Sequence, residues 1–314
     1  MSVSICEVGL VQNNFNQGSG YFSIVRKNDL YHLYFRRSRD YSNTIHMTSS
    51  CGLKFKLRGS IISDSFACHN FSAFTDADKK IAAIGGQISD PIRMHSSGLF
   101  LFRSDDGDKF KEKTRILSEG HPGYINGREI WGLSSELDGQ QCCVFDSELN
   151  QYFLFVRSNP KRGVRKIQYA KASMLEKFGS MRQMKLPDSR KFNYYSSFFF
   201  VCKNVKFAFL PAVNRKVSCI RLLCSYDWQK WRTLGDFFIK SPWFNSENEP
   251  KMCDHPVQGV FEDSSNLYIY VHHNNLGHQN KIPAYIKKYK INKESLMLSA
   301  HKRLSPLGLV RNLF

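Results

Sequence analysis

The chain has 314 residues, with 45 Lys and Arg against 27 Asp and Glu for a formal charge of +18, 42% hydrophobic residues and 23% charged ones. That balance is globular and excludes disorder, collagen and a simple coiled coil, and a chain this long hides well over half of its unfolded surface. The nine cysteines are odd in number and irregular in spacing, with no Cys-x-x-Cys pair, which argues against a disulfide framework, a zinc ribbon or a thioredoxin motif.

The opening MSVSICEVGL has no basic region followed by an apolar one, and no window approaches the roughly 18 apolar residues of a membrane span. The expectation is a soluble, cytoplasmic protein with reduced thiols, compatible with a viral or phage product. The charge has two readings: a solvated surface with weak anion preference, or a face for nucleic acid, anionic membrane or anionic glycan. The densest basic pieces are Arg36-Arg37, Lys161-Arg162 with Arg165-Lys166, and Lys287-Lys288, and no run of five like charges occurs. That scatter favours the first reading and disfavours nucleic acid.

Taken in order, five passages read as hairpins: GYFSIVRKNDLYHLYFR from Gly20, HNFSAFTDADKKIAAIGG from His69, QQCCVFDSELNQYFLFVR from Gln140, YYSSFFFVCKNVKFAFLP from Tyr194 and VQGVFEDSSNLYIYV from Val257. In each, β-branched or aromatic residues flank a short cluster of Asn, Asp, Lys or Ser. A third strand follows each hairpin: TIHMTS, GLFLFRS, RKIQYAKA, CIRLLCS and AYIKKYK. Four of these lead into a shared turn, SSCGLKF from Ser49, SDDGDKF from Ser104, ASMLEKF from Ala172 and SYDWQKW from Ser225, which fit S-x-D-G-x-x-(F/W) with losses. Glycine there supplies positive φ, Ser or Asp caps the turn, and the final aromatic anchors it to the sheet.

The turns start at 49, 104, 172 and 225, spacings of 55, 68 and 53 residues. A unit of three or four antiparallel strands cannot bury both faces alone, and radial packing lets each sheet cover its neighbour. The predicted fold is all-β, a five-bladed β-propeller of antiparallel sheets forming a single domain over 1–314, with blades at about 12–60, 61–120, 121–185, 186–240 and 241–300. Long helices are not expected; Ala172 to Phe178 and Lys293 to Leu298 read as single helical turns at most.

The S-x-D-G-x-x-W turn and the strands ending in (Y/F)-x-R resemble the five-bladed β-propeller glycoside hydrolases of families 43, 32 and 68 and their uncharacterised relatives. His69-Asn70-Phe71 with Asp76 and Gly85-Gly86 resembles H-N-F-x-(P/A)-F-x-D…GG of hydrolase-like propellers. Asp138-Gly139-Gln140-Gln141 resembles their D-S-Q-N, and Phe155-Val156-Arg157 with Gly163-Val164-Arg165 their (Y/F)-V-R…G-V-R. The resemblance runs over about residues 20–290 and implies a glycan-active protein, hydrolysing or transferring at a glycosidic bond. The family 43 pattern has an Asp at the start of the first inner strand, where this chain offers Asn13, Asn14, Asn16 and Gln17. A non-catalytic carbohydrate-binding or surface-polysaccharide accessory propeller is therefore the second reading, and a nucleic-acid-binding or scaffolding propeller the third.

In a propeller the first strand of each blade lines the channel, so residues at its entrance converge. The hairpin alignment nominates His69, Asn70, Gln140, Gln141, Tyr194, Tyr195 and His255 for substrate binding, since amides, His and Tyr suit sugar hydroxyls. Arg165 is added for an anionic sugar, with a structural role beside Arg157 as the alternative. Glycoside hydrolysis normally needs two carboxyl groups. Asp138 is the leading candidate, with Asp254 or Glu249 as its partner, and Asp64 and Glu136 less well placed; the plain alternative is that Asp138 caps a turn and Asp254 sits on a loop. His272, His273 and His278 in HHNNLGH have metal-ligand chemistry, but an exposed loop is the favoured reading, so no metal is assigned. No glycine-rich phosphate loop opens a helix, and no cofactor is expected.

Overall fold

The computed structural model describes residues 3–12, 20–36, 43–62, 70–87, 98–118, 121–123, 139–161, 164–195, 198–240, 253–275 and 284–305. The N-terminal strand β1 (Ile5–Leu10) precedes a meander of β2 (Gly20–Lys27), β3 (Leu30–Arg36), β4 (Thr44–Ser49) and β5 (Lys56–Ile62). The next meander is β6 (Ser72–Thr75), β7 (Ile81–Gln87), β8 (Gly98–Ser104) and β9 (Lys111–Leu117). It is followed by β10 (Cys142–Asp146), β11 (Gln151–Lys161), β12 (Val164–Ala172) and β13 (Arg182–Gln183). Then β14 (Asn193–Tyr194) and β15 (Phe198–Cys202) both pair with β16 (Val205–Val213), which continues to β17 (Ser218–Ser225) and β18 (Arg232–Lys240). The last meander is β19 (Cys253–Glu262), β20 (Asn266–Asn275) and β21 (Tyr285–Asn292), and β1 pairs antiparallel with β21 as its outermost strand. The first and last described strands are thus held in one sheet.

The turns explain why the strands reverse where they do. Asn28 and Asp29 both have positive φ, 49° and 59°, as a two-residue hairpin turn of the primed type requires. The predicted S-x-D-G turn forms as expected. Ser104 Oγ accepts from Gly107 N at 2.8 Å, and Asp106 Oδ1 accepts from the amides of Asp108 and Lys109 at 2.8 and 3.0 Å. Asp227 repeats this on the amides of Gln229 and Lys230 at 2.9 and 2.8 Å. Gly52 and Gly107 take the left-handed position, and Trp228 holds the same place at φ 62° with its indole donating to Asp146 Oδ2 at 2.7 Å. A buried, charge-assisted bond to a carboxylate compensates a conformation that a bulky residue resists.

The core lies between sheets. One apolar cluster joins β2, β3 and β5 to β6–β8 around Tyr34 and Phe71, and another joins β7–β9 to β10–β12 around Leu101 and Leu154. A third packs Phe155 against Phe199 and Trp228, a fourth packs Phe207 against Ile269, and a fifth packs Val257 and Tyr270 against Phe22 and Leu33, back at the first meander. Each sheet covers its neighbour and the series closes on itself, so the fold is a β-propeller of antiparallel sheets. The strands β2, β6, β10, β15 and β19 line a common cavity of about 470 Å³ at the axis.

One helix was under-read. α1 (Lys293–Leu304) has 12 residues, not a single turn. Asn292 caps it by accepting from Ser295 N at 2.8 Å, and Glu294 at its start and Lys302 and Arg303 at its end suit the helix dipole. Leu296, Met297 and Ala300 bury its inner face in the same cluster as Phe207 and Ile269. Among the described residues, no helix is long and apolar enough to cross a membrane.

Candidate functional site at the channel

The first strands meet through polar side chains. β19 runs parallel to β2, with Gln258 opposite Ser23. Ser72 donates to the side-chain oxygen of Gln258, and the Gln258 amide donates to the carbonyl of Gln141. Gln140 Nε2 donates to Phe22 O at 2.7 Å, and Ser23 Oγ accepts from Ala73 N at 3.0 Å. Ser23, Ser72, Gln140, Gln141 and Gln258 are all buried. A buried polar group left unpaired costs about 1–3 kcal/mol, so these bonds fix which strand sits beside which. Of the predicted sugar ligands, Gln140 braces the axis through its side-chain amide and Gln141 through its backbone carbonyl. Beyond this seam, toward the strands' C-terminal ends, the common cavity is lined by apolar residues such as Ile24, Ala73, Val144 and Phe199 and by the charged Arg26, Asp76 and Lys79.

On the other side of the seam, at the N-terminal ends of the inner strands, an arc of rings forms. Half-buried Arg165 lies over the Tyr195 ring with its Cζ 4.6 Å from the centroid. Tyr195 meets His255 edge-on at 6.4 Å between centroids. His255 is cross-strand partner to His272, and His272 meets Phe22 edge-on at 4.7 Å. Sequence-distant meanders thus bring a guanidinium, a phenol and two imidazoles into one chain of contacts, in which Tyr195, His255 and His272 are buried. Burial pushes His255 down to about 4 and His272 down to about 3, with the like charge of His255 adding to the second shift. Both rings are neutral at ordinary pH and offer one donor and one acceptor each. His272 Nδ1 is buried and has no hydrogen-bond partner among the described residues.

Asp254 stands beside His255 at the start of β19, in a strand and not on a loop. Its carboxylate accepts from Lys240 Nζ at 2.6 Å, His273 Nδ1 at 2.8 Å and Asn274 N at 3.0 Å. His273 Nε2 in turn contacts Tyr289 Oη at 2.8 Å. Burial alone would raise the Asp254 carboxyl, but the His273 bond and charge, then Lys240, hold it below its ordinary value. It is a fixed anion, and a poor proton donor near neutral pH.

Tyr194, at the end of β14, and Tyr195, just after it, are buried in different clusters. Tyr194 is fully buried in the cluster with Phe155 and Trp228, donating to Pro187 O at 2.7 Å. Asn70 is also buried, at φ 59° just before β6. His69, Asp138, Glu249, Asp64 and Glu136 lie outside the described residues, as do Asn13, Asn14, Asn16, Gln17 and His278. The exposed loop expected around HHNNLGH is corrected at its first half. His272 and His273 lie on β20 and are 3% and 4% exposed, because the strand runs on to Asn275. A polar, Asn-rich stretch read as a loop is here a buried strand.

No protein-family model matches the chain, and no curated protein matches it by sequence. Its fold is nevertheless that of solved glycoside hydrolases. The α-L-arabinofuranosidase PaAbf62A from Podospora anserina, solved in complex with cellotriose, has 10% identity and a TM-score of 0.62, over 93% of this chain and 98% of that one. The catalytic domain of the Coprinopsis cinerea family 62 α-L-arabinofuranosidase has 12% identity and a TM-score of 0.61, over 92% and 97%. A thermostable family-43 glycoside hydrolase has 13% identity and a TM-score of 0.57, over 88% of each chain. At these identities the likeness is one of fold: the chain is a β-propeller built like those of glycoside hydrolases.

Proposed function

We propose that this chain is a glycan-active, single-domain propeller of five blades that holds an oligosaccharide at the N-terminal mouth of its channel. The observation that carries the reading is the convergence of Arg165, Tyr195, His255 and His272 at that end. Tyr195 supplies a ring for the apolar face of a sugar, the neutral imidazoles pair with hydroxyls, and Arg165 extends recognition to a carboxylated or sulfated sugar. The glycoside hydrolase fold of the solved neighbours, one of them solved with cellotriose, supports the ligand class.

Binding without chemistry is favoured by one feature. Asp254 is saturated by Lys240, His273 and a backbone amide, so it positions groups at the mouth and does not deliver a proton. Hydrolysis would require an acid from Asp138 or Glu249, with Asp254 as the anionic member of the pair. Two measurements separate these readings. Calorimetric titration of an oligosaccharide panel should give saturable binding that Tyr195→Ala weakens at least about tenfold, or 1.4 kcal/mol; unchanged affinity in that variant would remove the mouth as the site. Sugar release by wild type that disappears in Asp138→Asn identifies an enzyme, and binding with no release identifies a lectin-like protein.

A further inference from the structure

Away from the channel, His32 on β3, His46 on β4 and Asp108 in the turn after β8 each bring one ligand atom within 4.8 Å of the others. His32 and His46 are 4% and 1% exposed. His32 Nδ1 lies 3.1 Å from His46 Nε2, and His46 Nδ1 lies 3.3 Å from Asp108 Oδ1. The Tyr34 ring stacks 4.9 Å from His46, and its hydroxyl donates to Gly107 O at 2.8 Å, which seats the turn against the imidazoles.

Hydrogen bonding does not use up this cluster. A neutral imidazole has one N–H and one lone pair. The His32–His46 contact takes one nitrogen from each ring. The remaining His46 nitrogen, Nδ1, and Asp108 Oδ1 face each other, yet both are buried without a hydrogen bond. Buried polar atoms of this kind are uncommon and call for a partner. Nitrogen and oxygen ligands bound tetrahedrally to zinc at about 2.0–2.1 Å are roughly 3.3 Å apart; His32 has about that spacing from Nε2 of His46 and Asp108 from Nδ1, so an ion on one His46 nitrogen has the third ligand within 4.8 Å and needs it to close. Arg58 Nη2, 3.4 Å from Asp108 Oδ2, engages the other carboxylate oxygen and leaves Oδ1 toward the histidines.

We propose that His32, His46 and Asp108 form a binding site for a divalent transition metal of the zinc class, which staples the β2–β5 meander to the turn of the β6–β9 meander. One ion uses a single nitrogen of His46. Asp108, 40% exposed on its turn, is the ligand that closes, and water completes four-coordination. The site is independent of the glycan reading.

The test uses the full chain, stripped with a chelator, in a Cys6→Ser/Cys51→Ser background, because both thiols are exposed and would compete for metal. Zinc is titrated by calorimetry and cobalt by visible absorption. The expected result is one ion per chain, with the strong visible bands of four-coordinate cobalt and no thiolate charge-transfer band. Asp108→Asn should weaken binding at least tenfold, and His46→Gln should abolish both binding and the zinc-induced rise in Tm. Asp108 lies on an exposed turn, so its variant carries the test even where His46→Gln does not fold. No saturable binding by the wild-type ligand set, or Asp108→Asn binding as tightly as wild type, would overturn the proposal.

Discussion

Two Asp–His pairs in this molecule have similar donor–acceptor spacing and opposite character. Asp254 and His273 are both almost fully buried, 2.8 Å apart, and the carboxylate has Lys240 and a backbone amide besides. Asp108 and His46 are 3.3 Å apart, but Asp108 is half exposed and the facing atoms make no hydrogen bond. The first pair is complete within the protein and stabilises it. The second is incomplete within the protein, and its ligand atoms fit a cation. The difference lies in the partners around each pair, since the residue types are the same.

The largest effect is expected where the complete pair is broken. Asp254→Asn leaves Lys240 facing no anion in a part-buried place and should cost about 3 kcal/mol, in the range for removing one member of a buried ion pair. Urea unfolding measures it, and a cost below about 1 kcal/mol would mean that solvent already screens the pair.

A smaller effect per pH unit should appear on acidification. His255 and His272 are pushed by burial to about 4 and about 3, below the ordinary 6.5. Between pH 6.5 and about 4 the unfolded chain takes up protons that the folded chain refuses. Stability is therefore full above pH 6.5 and should fall below it by up to about 1.4 kcal/mol per pH unit for each imidazole, about 2.7 for the two. Asp254 acts in a different window: its carboxyl is held below 3.8, so its contribution is intact above that pH and is lost on further acidification. A stability profile flat from pH 7 to 4.5 would show that the two imidazoles are hydrated in solution. The smallest effect belongs to Asp108→Asn without metal, where loss of exposed pairing with Arg58 should change stability by no more than about 0.5 kcal/mol.

Much of the fold was legible because its signals are local. The S-x-D-G turn spans a few residues, its hydrogen bonds run between neighbours, and its recurrence marked the repeating sheets; even Trp228 in the glycine position kept the capping pattern of Asp227. The site was legible only in part. Hairpin alignment named Tyr195 and His255, and Arg165 was named for an anionic sugar; the structure puts the three in one chain of contacts. The alignment could not foresee that Gln140 and Gln141 bind backbone and side chains more than 100 residues away, since those partners are set by tertiary closure. Tyr194 and Tyr195 are both buried but in different clusters, a difference the sequence does not show. His272 and His273 were misread because Asn-rich composition signals loops, whereas β20 is held by pairing on both sides. His32 and His46 carried no motif, since 14 residues of chain and a strand reversal bring them together.

The central claim is that the N-terminal mouth of the channel holds a glycan. The most direct measurement is imidazole NMR of the full chain titrated with oligosaccharides, with His255 and His272 assigned through His255→Gln and His272→Gln. Saturable binding should move both resonances together and leave His46 unmoved. Saturable binding that shifts neither channel resonance would contradict the account.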